Sequence, residues 1–153
     1  MPQLLGDYEC KVDSKGRMRM PSQLMKKLGS EGPCVLIVNR GMEGCLSLYP
    51  KEVWDRLVEK VNTLNTYVKK NRLFVRQFYS GATELTVDGN DRILLPKRLT
   101  EWADIDSDVV VFGMNNWIEL WKPEKYEATM ADQSEDFSDL GEEVMGTLNF
   151  DSE

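Results

Sequence analysis

A pattern near the N-terminus recurs 75 residues later. Glu9, Val12, Asp13, Arg17, Pro21 and Leu24 return as Glu84, Val87, Asp88, Arg92, Pro96 and Leu99. Apolar character carries over where identity fails: Met18 with Ile93, Met20 with Leu95, Leu28 with Ala103. Farther on, Leu46, Leu48, Tyr49 and Trp54 match Ile118, Leu120, Trp121 and Tyr126 at an offset of 72, so the second copy is three loop residues shorter. Loops absorb such deletions most easily. Self-similarity at a fixed offset makes the repeat the unit of folding, and 153 residues leave room for two small units sharing one core.

Each copy reads as a short strand, a turn at Asp-x-x-x-Arg, a second short strand and a helix opened by Pro at its first position. The first such helix is predicted from Pro21 to Leu28, with Gly29 ending it. Strands are predicted at Val35 to Asn39 and Leu46 to Tyr49, joined through Gly41 and Gly44. Within residues 50–64, Val53, Trp54, Leu57, Val58 and Val61 recur at helical spacing. The equivalent helix of copy two starts near Pro123. Between the copies, residues 67–79 are predicted to form an amphipathic helix, with Asn71, Phe74, Val75 and Phe78 on one face and Lys69, Lys70, Arg72 and Arg76 mostly elsewhere. Its apolar side is expected to join the two copies.

The organisation expected is therefore a mixed α+β chain of two tandem hairpin-plus-helix units. The first repeat spans residues 5–64, a connecting amphipathic helix 65–81, the second repeat 82–131, and a flexible acidic tail 132–153. Charge supports that last boundary. Residues 1–80 carry 14 Lys and Arg against 8 Asp and Glu, residues 81–126 carry 5 against 9, and residues 127–153 carry none against 9. The overall charge of -7 thus hides a basic first half, and the acidic end has the composition of a disordered segment.

Composition also excludes functions. The chain has no histidine, which removes the usual general base and the commonest metal ligand. Its three cysteines, Cys10, Cys34 and Cys45, show no zinc-site spacing and read as structural. The acidic residues form no constellation assignable to one cleft, so no catalytic residue, metal or cofactor is expected. No apolar run approaches the roughly 20 residues of a membrane helix, and residues 1–7 lack the features of a secretory signal. These readings place the expectation in the cytoplasm, without a membrane partner or a small-molecule substrate.

The chemistry concentrates in the first turn. Asp13 accepts hydrogen bonds from amides farther along, closing the loop, and Gly16 supplies a positive φ. Lys15 and Arg17 then stand at the tip of a rigid hairpin, where Arg reaches guanine and Lys reaches phosphate. Arg19 falls on the same strand face as Arg17. Asp88 and Gly89 form the second turn, which presents Arg92. Taken alone, an Asp-x-x-Gly-Arg string is ordinary turn chemistry.

Three motifs together are more specific: Asp13 to Arg17 followed by Met20-Pro21, the central Phe78-Tyr79-Ser80-Gly81-Ala82, and the second turn running into Ile93-Leu94-Leu95-Pro96. In these and in their order the chain resembles the MraZ family, bacterial regulators related to AbrB-type swapped-hairpin DNA-binding proteins, over roughly residues 5–130. The resemblance implies a double-psi-like, swapped-hairpin barrel and a ring-shaped homo-oligomer. It also implies binding to repeated DNA boxes upstream of the operon that encodes it, regulation of the division and cell-wall gene cluster, and nucleoid association. Lys15, Arg17 and Arg92 match the DNA-contacting positions.

One departure stands out. The family's Gly position in the second turn holds Asp91, a residue that still reaches left-handed conformations but sets a carboxylate near phosphate. Arg92 is therefore expected to contribute less than Arg17, with contact dominated by the first copy. Two rival classes are a protein-interaction module, such as the dimerising half of a toxin-antidote pair, and a carboxylate enzyme.

Overall fold

A computed structural model describes residues 2–29, 32–132 and 136–149. Contacts divide the chain into two compact units, one running to Pro123 and one from Glu124 onward. The first unit contains both copies of the turn. Its elements are β1 (Asp7–Lys11), β2 (Arg17–Arg19), α1 (Ser22–Leu28), β3 (Val35–Arg40), β4 (Leu46–Pro50), α2 (Lys51–Val61), α3 (Lys69–Tyr79), β5 (Thr83–Thr86), β6 (Arg92–Leu94), α4 (Lys97–Trp102), β7 (Asp108–Gly113) and β8 (Ile118–Trp121).

Six strands form one sheet in the order β1-β7-β8-β4-β3-β5, and β2 pairs with β6 in a separate two-stranded ribbon. The six-strand order is the same read from either end once each strand is replaced by its repeat equivalent. The first strand of each copy leaves its own copy to pair with the other. β1 runs antiparallel to β7, from Asp7 opposite Phe112 to Lys11 opposite Asp108, and β5 runs antiparallel to β3, from Val35 opposite Thr86 to Val38 opposite Thr83. The hairpins β3–β4 and β7–β8 stay within their copies and meet through β4 and β8, where Leu46 opposes Leu120. Backbone donors and acceptors of each copy are thus satisfied by its counterpart.

The side chains explain why. Leu36, Val38, Leu46, Leu48, Val111, Ile118 and Leu120 are all buried, together with Met18, Met20, Leu24, Ile93, Leu95 and Leu99. The alternation of burial along β1 and β2 fits strands with one solvated face. β3, β4 and β7 are near-continuous apolar runs, as strands covered on both faces require.

Several sequence expectations are refined. Pro21, Pro50 and Pro96 each stand one residue before their helix, at the N-cap, with extended ψ of 134°, 144° and 131°. Proline's fixed φ suits that half-in position as well as the first turn, since neither needs its missing N–H. The basic helix is present as α3, but its apolar side packs within the first copy. Phe78 stacks on Trp54 of α2, with ring centroids 5.3 Å apart and planes 3° apart, while its carbonyl accepts from Asn39 Nδ2 at 3.1 Å. Contact with the second copy comes at the C-terminal end of α3: Arg98 donates to Ser80 Oγ at 3.0 Å. Gly81 has φ 81°, and a Cβ there would lie 2.8 Å from Leu99 Cδ2. That close approach accounts for glycine in the Phe-Tyr-Ser-Gly-Ala stretch.

The second unit comprises α5 (Pro123–Met130), which begins at the boundary, and α6 (Phe137–Met145). The tail expected to lack structure from residue 132 onward is therefore helical over Phe137–Met145. Phe137, Leu140 and Val144 recur at helical spacing, and Asp136 and Asp139 sit at the favourable N-terminal end, a pattern that composition alone conceals. Residues 133–135 and 150–153 of that tail lie outside the described residues.

Candidate nucleic-acid interface

The two turns are built by the same bonds. In the first, Asp13 Oδ1 accepts from the backbone N–H of Lys15 and of Arg17, both at 2.9 Å. In the second, Asp88 Oδ1 accepts from Asn90 N–H at 2.8 Å and Arg92 N–H at 2.9 Å. The backbone repeats as well: Gly16 N–H donates to the Asp13 carbonyl and Asp91 N–H to the Asp88 carbonyl, both at 3.0 Å. These bonds to the ionised form, led by the Arg17 amide, hold the Asp13 carboxyl below its ordinary pKa. Asp88 is lowered in the same way, led by the Arg92 amide.

Each turn requires one left-handed residue, and in the first it is Gly16, with φ 88°. In the second it is Asp91, with φ 61°. Gly89, assigned a turn-forming role from sequence, lies in the turn without a left-handed φ, and a Cβ there would meet nothing within 4 Å. Position within the turn decides this: the fourth residue takes the left-handed conformation, and glycine at the second is not needed.

The turns also bind each other's strands. Leu95 N–H donates to the Gly16 carbonyl at 2.9 Å, and Met20 N–H donates to the Asp91 carbonyl at 2.7 Å. Between these bonds, β2 and β6 pair with Arg17 opposite Leu94, Met18 opposite Ile93, and Arg19 opposite Arg92. Met18 and Ile93 face the core, at 0% and 1% exposure. By strand alternation, Arg17, Arg19, Arg92 and Leu94 share the outer face. Arg17, Arg19 and Leu94 are exposed there, and Arg92 is half-buried.

Three of the four predicted cations thus lie on one face of one ribbon, and Lys15 stands exposed in the turn at its edge. The two ends differ in electrostatics. Arg92 Nε donates to Asp88 Oδ2 at 3.1 Å, whereas among the described residues Lys15, Arg17 and Arg19 have no ion-pair partner. Beside the second turn, Glu9, Lys11, Arg19, Asn90 and Asp91 line an open groove of about 690 Å³, which thus contains both carboxylates and cations. Leu94 was not singled out from the sequence, although the repeat aligns it with Arg19. Its exposure on this face is the signal that the alignment lacked.

Among the described residues no group of three or more His, Cys, Asp or Glu could hold a metal ion, and no helix is long and apolar enough to cross a membrane.

The chain has relatives among known proteins. A family model named MraZ, described as "MraZ protein, putative antitoxin-like", matches the chain twice, over residues 4–77 and 78–147. Curated relatives named "Transcriptional regulator MraZ" cover nearly the whole chain. That of Christiangramia forsetii is 44% identical over 152 residues, covering 99% of this chain and 98% of that protein. That of Flavobacterium psychrophilum is 42% identical over 152 residues, covering 99% and 97%, and that of Cytophaga hutchinsonii is 34% identical over 140 residues, covering 92% and 93%. With two matches that together take in most of its length, the chain belongs to the MraZ family.

Proposed function

We propose that the protein is a DNA-binding transcriptional regulator whose reading surface is the outer face of the β2–β6 ribbon. The observation that carries this is the convergence of Arg17, Arg19 and Arg92 on that face, with Lys15 beside them at the turn. A two-stranded ribbon fits the major groove of B-DNA. Arg17, which makes no ion pair among the described residues, reads guanine bidentately, and Lys15 contacts phosphate. Arg19 extends the same face. Arg92 contributes less because Asp88 already engages its guanidinium and Asp91 stands next to it.

The exchange of β1 and β5 between the copies supports a swapped-hairpin barrel of the AbrB type, with the repeats at 5–64 and 82–131 joined by the segment 65–81. One subunit supplies few phosphate contacts. A ring of subunits engaging repeated promoter boxes upstream of its own operon, in the division and cell-wall cluster, gains affinity through multivalency. Such a regulator works in the cytoplasm at the nucleoid. The names of the relatives favour this reading, while the antitoxin-like description of the family favours a toxin-binding module as the second one.

The test is binding to the chain's own upstream region across a salt series, comparing wild type with Arg17→Ala and Arg92→Ala. Specific binding that falls steeply with salt, is lost in Arg17→Ala and is only weakened in Arg92→Ala is the expected result. Absence of specific binding, or indifference to both substitutions, returns the turns to a purely structural role.

A further inference from the structure

The outer face of the ribbon carries one residue that electrostatics does not explain. Leu94 is 56% exposed on the same face as Arg17, Arg19 and Arg92. It is the repeat equivalent of Arg19, so the two ends of the ribbon differ: Leu94 faces Arg17 across the strands, and Arg19 faces Arg92. Its side chain belongs to the first turn. A Cβ added at Gly16 would lie 3.6 Å from Leu94 Cδ1, which places that methyl group beside the Gly16 backbone, the residue between Lys15 and Arg17 in sequence.

We propose that Leu94 is a specificity-determining residue that reads the 5-methyl group of a thymine next to the guanine read by Arg17. The inference rests on the DNA-reading role of the ribbon. Its chemistry follows from the major groove, where base edges present donors, acceptors and one apolar protrusion, the thymine methyl. Leucine has nothing to offer the polar edges and fits the methyl. Directly opposed cross-strand residues have Cβ atoms about 5 Å apart, more than the roughly 3.4 Å rise of one base step. With the cross-strand direction along the DNA axis, Arg17 and Leu94 address neighbouring base pairs. The opposite end, with Arg19 and Arg92 across the ribbon and Asp91 beside them, has no apolar group in the corresponding place and reads a different step. One subunit thus reads an asymmetric site despite its internal repeat.

The experiment selects binding sites from a random DNA pool with the full-length wild-type protein, then replaces each thymine of the selected site by deoxyuridine, which removes only the methyl group. Wild-type affinity is expected to fall about fourfold, the worth of one buried methyl-sized group, at one thymine adjacent to a guanine whose recognition Arg17→Ala abolishes. Leu94→Ala is expected to lose that sensitivity while keeping the wild-type melting temperature and salt dependence, and Leu94→Met to retain it. A selected site in which every thymine tolerates deoxyuridine, or in which Leu94→Ala is as sensitive as wild type, overturns the role of Leu94 and leaves DNA reading intact. Failure to select any site overturns both.

Discussion

Two carboxylates one repeat apart, Asp13 and Asp88, organise the turns by accepting two backbone amides each. Both titrate below their ordinary values, so in the acid range the unfolded chain binds more protons than the folded one and stability rises with pH. The contribution is complete above the ordinary carboxylate pKa of about 4 and is lost as the pH falls through the lowered folded values. Denaturant titrations between about pH 6 and pH 3 are expected to show this slope, and Asp13→Ala to flatten it; an unchanged slope refutes the assignment. Glycine and aspartate at the fourth turn position separate geometry from charge. Gly16→Ala is predicted to destabilise by about 1–2 kcal/mol from its left-handed φ, with the new Cβ also 3.1 Å from the Leu95 carbonyl oxygen. Asp91→Gly is predicted to change stability by less than about 1 kcal/mol while tightening DNA binding, because it removes a carboxylate from beside Arg92. Thermal melts and binding curves on the same two variants check both statements.

At the scale of the element, the ribbon is a thin layer whose inner side chains do the anchoring. Met18 and Ile93 oppose each other in register and are fully buried, so that the cations above them are held on a rigid support. Ile93→Ala is predicted to cost about 2–5 kcal/mol in unfolding free energy. A cost below about 1 kcal/mol would show that the ribbon does not depend on that contact. The helix α3 shows how far periodicity alone reaches. Its apolar face is visible in the spacing of Phe74, Val75 and Phe78, but the partner of that face is Trp54, one helix earlier, rather than the second copy. Spacing defines a face and leaves its neighbour open, since any apolar surface of the right shape covers it equally well.

Across the whole molecule the exchange of first strands dominates. β1 completes the second copy and β5 completes the first, so neither copy has its full set of paired strands or a full core without the other. Separately produced fragments 1–81 and 82–153 are predicted to be unfolded alone and to regain secondary structure on mixing, as followed by circular dichroism. A cooperatively folded 1–81 fragment contradicts this. The sequence by itself determined what is local. The duplicated turn, the left-handed Asp91, the strands at Val35 and Leu46 and the helices near Pro21, Pro50 and Pro123 all follow from side chains acting within a few residues of one another. The cations were legible as well, since Arg17 and Arg92 occupy the same repeat position. Only the tertiary structure decided which strands pair, that Arg92 and Leu94 join Arg17 and Arg19 on one face, and that Asp88 engages Arg92 while Arg17 has no ion-pair partner among the described residues. Backbone pairing is chemically alike at every strand edge, so the choice of partner falls to the complete core, which exists only when both copies are in place.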